Sequence, residues 1–220
     1  MIDQKNNNSI YGIFKNHKDE KLVYYPCPKN ANSSAKLFFA KHIGIDEKIL
    51  FLGDNMPRHL QDKSVYIKEK KIPLSNWLPS KQKFSKIVAE HKCCIVREPV
   101  KRFISAYKNR ILYHKDKYFF EHSVDQVIEK LENNQFENRH FLPQTYFLGT
   151  DLHYYNHVGF IDNLLPFIEY INNFFGKKID FPKIQKGGSE LHLRLSKKQI
   201  DKVKKIYESD YIFLGSIYKD

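Results

Sequence analysis

A chain of 220 residues is long enough to bury a proper core as one domain, and 41% hydrophobic with 15% aromatic residues excludes disorder over most of it. The formal charge is +12, from 37 Lys and Arg against 25 Asp and Glu, which favours an anionic partner: nucleic acid, an acidic polymer, a phosphorylated cofactor or an anionic membrane surface. The opening "MIDQKNNNSI" lacks the apolar stretch of a signal peptide, and no segment approaches the roughly 18 apolar residues of a membrane span. Cys27, Cys93 and Cys94 fit neither a disulfide framework nor zinc spacing and read as reduced thiols of a cytoplasmic protein.

In chain order, residues 1–20 are polar and expected to be loose apart from the apolar "IYGIF". Leu22–Cys27 reads as a buried strand, followed by a helix over Ser33–His42 with Gly44 as its stop. Ile49–Leu52 is a short strand candidate, and residues 53–82, with Pro57, Pro73 and Pro79, look like an irregular insertion. Cys93–Val96 is a second buried strand. From Pro99, the residues Val100, Phe103, Ile104, Tyr107 and Ile111 follow one helical face. Ser123 with Gln126 and Ser196 with Gln199 fit capping boxes that open further helices. Val158–Ile161 is a third strand, and Asp162 is expected to cap a helix that runs to Phe175 and stops at Gly176. Strands alternating with helices predict a parallel α/β sheet.

Two places in this pattern carry chemistry. In "YYPCPKNANSSA" a strand turns into a helix through Lys29, Asn30, Ala31, Asn32, Ser33 and Ser34. Backbone N–H groups are unpaired at a helix start and the helix dipole is positive there, so the place suits a phosphate. There is no Walker A glycine pattern, and taken alone the stretch describes a serine N-cap with a solvated lysine more readily than a ligand site. "IVREPVKRFISAY" repeats the architecture, with Arg97 at a strand end and Ser105 two turns along the helix. An arginine there can fork onto a phosphate at the edge where open α/β sheets bind ligands. Without a ligand, Arg97 would pair with Glu98 or another carboxylate, and Arg102 would be a solvated helix face.

Together "PKNANSS" and "VREPVKRFISAY" resemble the sulfotransferase superfamily, specifically the carbohydrate sulfotransferases related to Golgi enzymes acting on chondroitin and heparan. Family members carry a "PK" loop for the 5′-phosphosulfate of PAPS (3′-phosphoadenosine 5′-phosphosulfate) and, roughly seventy residues later, "VRxPxxRxxSAY" for its 3′-phosphate. Here 68 residues separate Lys29 from Arg97. "HFLPQ" (His140–Gln144), "HVGFIDNLLPFIEYI" and "LSKKQIDKVKKIYESDYIFLG" are similar to further elements of the family, so the likeness covers residues 22–218.

The resemblance implies a P-loop-like three-layer α/β sandwich with a central parallel sheet flanked by helices, residues 21–220 forming one sulfotransferase domain after a polar segment 1–20. It implies sulfuryl transfer from PAPS, leaving PAP (3′-phosphoadenosine 5′-phosphate), to a hydroxyl of a carbohydrate or other acceptor. Such in-line transfer rests on positioning and electrostatics and needs no metal. Lys29 would neutralise the leaving oxygen, residues 30–34 would hold the 5′-phosphate, and Arg97 with Ser105 would hold the 3′-phosphate. Lys186, Gly187 and Gly188 match a late Lys-Gly loop that closes on the 3′-phosphate in related enzymes, although an exposed turn reads as well. For the base, His59 ranks first, because related enzymes place a histidine in that insertion; His140 ranks second, ahead of Glu90 and His91. Lys, Asn and Ile usage points to an AT-rich, bacterial source. The competing readings are a basic RNA- or acidic-glycan-binding protein, with no RNP, KH or zinc-knuckle pattern to support nucleic acid, and a small-molecule kinase, which the missing Walker pair counts against.

Overall fold

The apolar runs of the sequence become strands with both faces covered. The computed structural model describes residues 11–44, 51–52, 56–57, 78–80, 88–117, 119, 121–135, 138–183, 188 and 190–218. Among the described residues the strands are β1 (Tyr11–Lys15), β2 (Lys21–Tyr25), β3 (Phe51–Leu52), β4 (Met56–Pro57), β5 (Leu78–Ser80), β6 (His91–Val96) and β7 (His157–Phe160). The helices are α1 (Asn32–His42), α2 (Pro99–Tyr107), α3 (Val124–Glu132), α4 (Gln144–Leu148), α5 (Leu165–Phe175), α6 (Lys197–Ile206) and α7 (Glu208–Leu214). The fold is an α/β sandwich. Its contacts divide it into two compact units: Met1–Cys27, Ala31–Val96 and His153–Gln185 form the first, and Pro28–Asn30, Arg97–Leu152 and Lys186–Asp220 the second.

The first unit holds a sheet in the order β5-β1-β2-β6-β7. β2, β6 and β7 are parallel, with Tyr24 opposite Cys93 and Cys94 opposite Val158. The sheet is mixed rather than wholly parallel, since β1 runs antiparallel to both β2 and β5. The reason is the connection: only Asn16–Glu20 join β1 to β2, too few for a crossover. Asn16 closes that turn by accepting from the backbone N–H groups of Lys18 (2.9 Å) and Glu20 (3.1 Å). β3 and β4 form a separate small ladder, so the stretch expected to be irregular, 53–82, contributes pairing residues at two places, Met56–Pro57 and Leu78–Ser80.

On one face Phe14, Leu22, Tyr24, Cys93 and Ile95 pack with Leu37, Phe38 and Phe39 of α1 and Phe167, Ile171 and Phe174 of α5. On the other, Val23, Tyr25, Cys94 and Val96 are equally buried, which is why these strands read as continuous apolar runs. A Cβ on Gly159 would stand 2.8 Å from the Phe167 ring, so glycine lets α5 lie close on β7. α5 begins at Leu165 with Leu164 as N-cap and no side-chain cap; Asp162 does not cap it, because the Asn163 N–H returns to the Phe160 carbonyl (2.9 Å) and keeps Asp162 in the preceding turn.

The second unit is helical. Its core joins Val100, Phe103, Tyr107 and Ile111, the predicted stripe, with Val127, Ile128, Phe141, Val203 and Tyr207. Both predicted capping boxes form, at Ser123 and Ser196. α2 continues as a π-helical segment over Lys108–Tyr113. Among the described residues no helix is long and apolar enough to cross a membrane.

Candidate active site

β2 and β6 are parallel neighbours, so the chain leaves both at the same edge of the sheet. After β2 it enters a loop without glycine in which Lys29 (φ 70°) and Ala31 (φ 52°) are both left-handed. A side chain in that conformation costs roughly 1–2 kcal/mol, and such alternation turns successive N–H groups toward one side, a concavity that suits an anion. Ala31 is the N-cap of α1 and no side chain caps the helix, so Ser33 and Ser34 lie in its first turn rather than serving as the cap.

Pro28, Lys29 and Asn30 are held by bonds within the second unit. Arg102 is 1% exposed, not a solvated helix face. Its Nε donates to the Pro28 carbonyl (3.0 Å) and its Nη2 to the His140 carbonyl (3.4 Å). Arg97 Nη1 donates to the Lys29 carbonyl (3.2 Å). Glu98 does not pair with Arg97; it caps α2 by accepting from Val100 (3.1 Å) and Lys101 (2.6 Å) N–H groups and bonds the Tyr211 hydroxyl. Gln144, fully buried, accepts from Asn30 Nδ2 (2.6 Å) and the Arg97 N–H (3.0 Å) and donates to the Arg97 carbonyl (2.8 Å). Asp210, also fully buried, accepts from the N–H groups of Gln144 (2.8 Å) and Thr145 (2.9 Å) at the start of α4. Burial raises the pKa of Asp210, while Arg102 and those N–H groups oppose the rise.

The side chains around the loop are strongly cationic. Burial, and then Arg97, Arg110 and Arg102, push the Lys29 ammonium down to a pKa of about 7. Arg110 pairs with Asp116 through two bonds (2.8 and 2.6 Å), and Asn138 links Asp116 (3.3 Å) to the His140 N–H (3.0 Å). His140 is half-buried, its Nδ1 has no hydrogen-bond partner among the described residues, and its pKa falls to about 3 through burial and then Arg110, Lys29 and Arg139. A bound anion beside Lys29 would favour its charged form. Among the described residues no group of three or more His, Cys, Asp or Glu is placed to hold a metal ion.

The sulfotransferase family profile matches residues 13–218. The chain belongs to the sulfotransferase family. No curated protein and no solved structure matches it.

In this sulfotransferase, Lys29, Asn30, Arg97 and His140 share the second unit and one hydrogen-bonded network. Ser105 lies half-exposed on α2. Gly188 packs three residues beyond it: a Cβ there would meet the Lys108 carbonyl at 2.8 Å, and its φ of 79° also demands glycine. His59, Lys186 and Gly187 lie outside the described residues. Sequence reasoning missed Arg102, Arg110, Asp116 and the role of Gln144. For Gln144 the signal was present, since "HFLPQ" stood out as a family-like element.

Proposed function

We propose that this sulfotransferase moves a sulfuryl group from PAPS to a hydroxyl of a carbohydrate acceptor. One observation carries the reading: an amine brought to a pKa of about 7 by burial and three guanidiniums, on a left-handed loop that opens a helix. PAPS supplies an activated sulfuryl group on a good leaving group when bound. Lys29 then keeps its proton beside the cofactor's charge and stabilises the oxygen on which negative charge develops. The N–H groups of residues 30–34 and the hydroxyls of Ser33 and Ser34 hold the 5′-phosphate, and Arg97 with Ser105 and the Lys186–Gly188 loop hold the 3′-phosphate. The acceptor's proton goes to His59, the first choice from the sequence, with His140 the second candidate; burial and then Arg110 and Lys29 keep the His140 ring neutral, and Asn138 and Arg102 fix its backbone.

Thermal shift with PAP, ATP and an oligonucleotide side by side tests the reading. PAP at about a hundredfold excess over its Kd contributes about 2.7 kcal/mol, which for a domain of this size raises Tm by roughly 5–11 °C. ATP, lacking a 3′-phosphate, shifts it far less. Equal shifts with PAP and ATP would favour the kinase reading, and a shift with the oligonucleotide alone the polyanion-binding one.

A further inference from the structure

The Gln144 side chain joins Asn30 of the Lys29 loop to the backbone of Arg97. Its carbonyl oxygen accepts from Asn30 Nδ2 (2.6 Å) and the Arg97 N–H (3.0 Å), and its amide donates to the Arg97 carbonyl (2.8 Å). Both lone pairs of the oxygen are used. The residue is 0% exposed, and Asp210 pins its own N–H (2.8 Å), so it cannot swing away from one loop without leaving buried groups unpaired. Arg97 Nη1 closes the ring by donating to the Lys29 carbonyl (3.2 Å).

We infer that Gln144 is a specificity-determining residue that sets the spacing between the Lys29 loop and Arg97, and so selects a ligand carrying two phosphates at that spacing. The inference rests on the proposed assignment of the Lys29 loop to the 5′-phosphate and Arg97 to the 3′-phosphate. Two anion sites held at a fixed distance bind a matching bisphosphate as one unit, because the second contact follows the first without further ordering. Loosen the spacing and each loop still binds a single phosphate, but the advantage of joining them is lost. Gln144 touches neither reacting atom in this scheme; it acts through Asn30 and Arg97.

The experiment is calorimetric titration of the full chain with PAP and with adenosine 5′-phosphate, in the wild type, Gln144→Met, Asn30→Ala and the double variant. In the wild type PAP binds much more tightly than adenosine 5′-phosphate. In Gln144→Met that preference falls by about tenfold, the worth of one buried hydrogen bond, while affinity for adenosine 5′-phosphate changes by less than about threefold. Asn30→Ala removes the Gln144 bond to the Lys29 loop and leaves Gln144 on Arg97. It therefore gives part of the same loss, and the double variant loses less than the sum of the two. A merely structural role would weaken both ligands in parallel. If Gln144→Met does not fold, Asn30→Ala alone decides by the same ratio. A wild type with no preference for PAP would overturn the assignment of the loops; a wild-type preference that persists in Asn30→Ala and Gln144→Met would overturn the spacing role.

Discussion

Replacing Lys29 with methionine removes a charge from a place where burial and the guanidiniums of Arg97, Arg110 and Arg102 disfavour it. The folded pKa of about 7 lies below the usual 10.5, so between those values the unfolded chain binds the proton and the native state does not. Stability should therefore rise with pH over that window in the wild type, and less so in Lys29→Met, which urea melts at pH 7 and pH 9.5 would show. Turnover should fall by about a hundredfold or more in the same variant, since charge stabilisation in the transition state is lost. A variant that is more stable at pH 7 and equally active would remove Lys29 from the chemistry. For His59→Ala, the matching expectation is a comparable loss of turnover with PAP affinity unchanged, with His140→Ala acting mainly on acceptor KM; a loss of turnover in His140→Ala alone would reverse the two. Lys29, Arg97 and His140 stand out in the sequence because each lies at a strand end or in a short motif. The role of Arg102 does not. Its partners are backbone carbonyls 74 and 38 residues away, and no side-chain pattern in the sequence announces a carbonyl.

At the scale of the elements, α1 and α5 meet around His42, 1% exposed, stacked on Phe175 (4.6 Å) and edge-on to Phe38 (4.7 Å). Burial, and then Lys177, hold its pKa at about 4, against a usual 6.5. Its neutral ring contributes stability that is complete above about 6.5 and lost as pH falls toward 4, because the unfolded chain takes up the proton first. His42→Phe should flatten the fall in Tm between pH 6.5 and 4; an unchanged acid limb would show that other groups govern it. Helix starts with serine boxes and stops with glycine were readable, because each is fixed by two or three neighbouring residues. The start of α1 was less so, since a left-handed Ala31 stands where a serine cap was the simpler expectation. Strand β5 was missed for a related reason: it has three residues with Pro79 in the middle, tolerable only at the edge it occupies beside β1.

Over the whole molecule, each unit is assembled from three separate stretches of chain, and the loop residues Pro28–Asn30 belong to a different unit from the strand before them and the helix after them. Neither unit can be obtained by cutting the chain once. The alternation of strands and helices revealed the parallel β2-β6-β7 core, because strands covered on both faces must be apolar throughout. It could not reveal the antiparallel β1, whose direction is set by the length of a turn rather than by the residues of the strand.

The burial of the three cysteines has a consequence for how the protein meets an oxidant. Cys27, Cys93 and Cys94 are thiols rather than disulfide halves, each 0% exposed, and burial raises Cys93 and Cys94 well above the ordinary thiol range. The thiolate is the form that peroxides and alkylating reagents attack, so all three are inert while the first unit stays closed. Cys27 stands two residues before Lys29 in the chain and is 0% exposed. Thiol modification of this chain would thus record the opening of its sheet and leave its transfer chemistry indifferent to redox conditions.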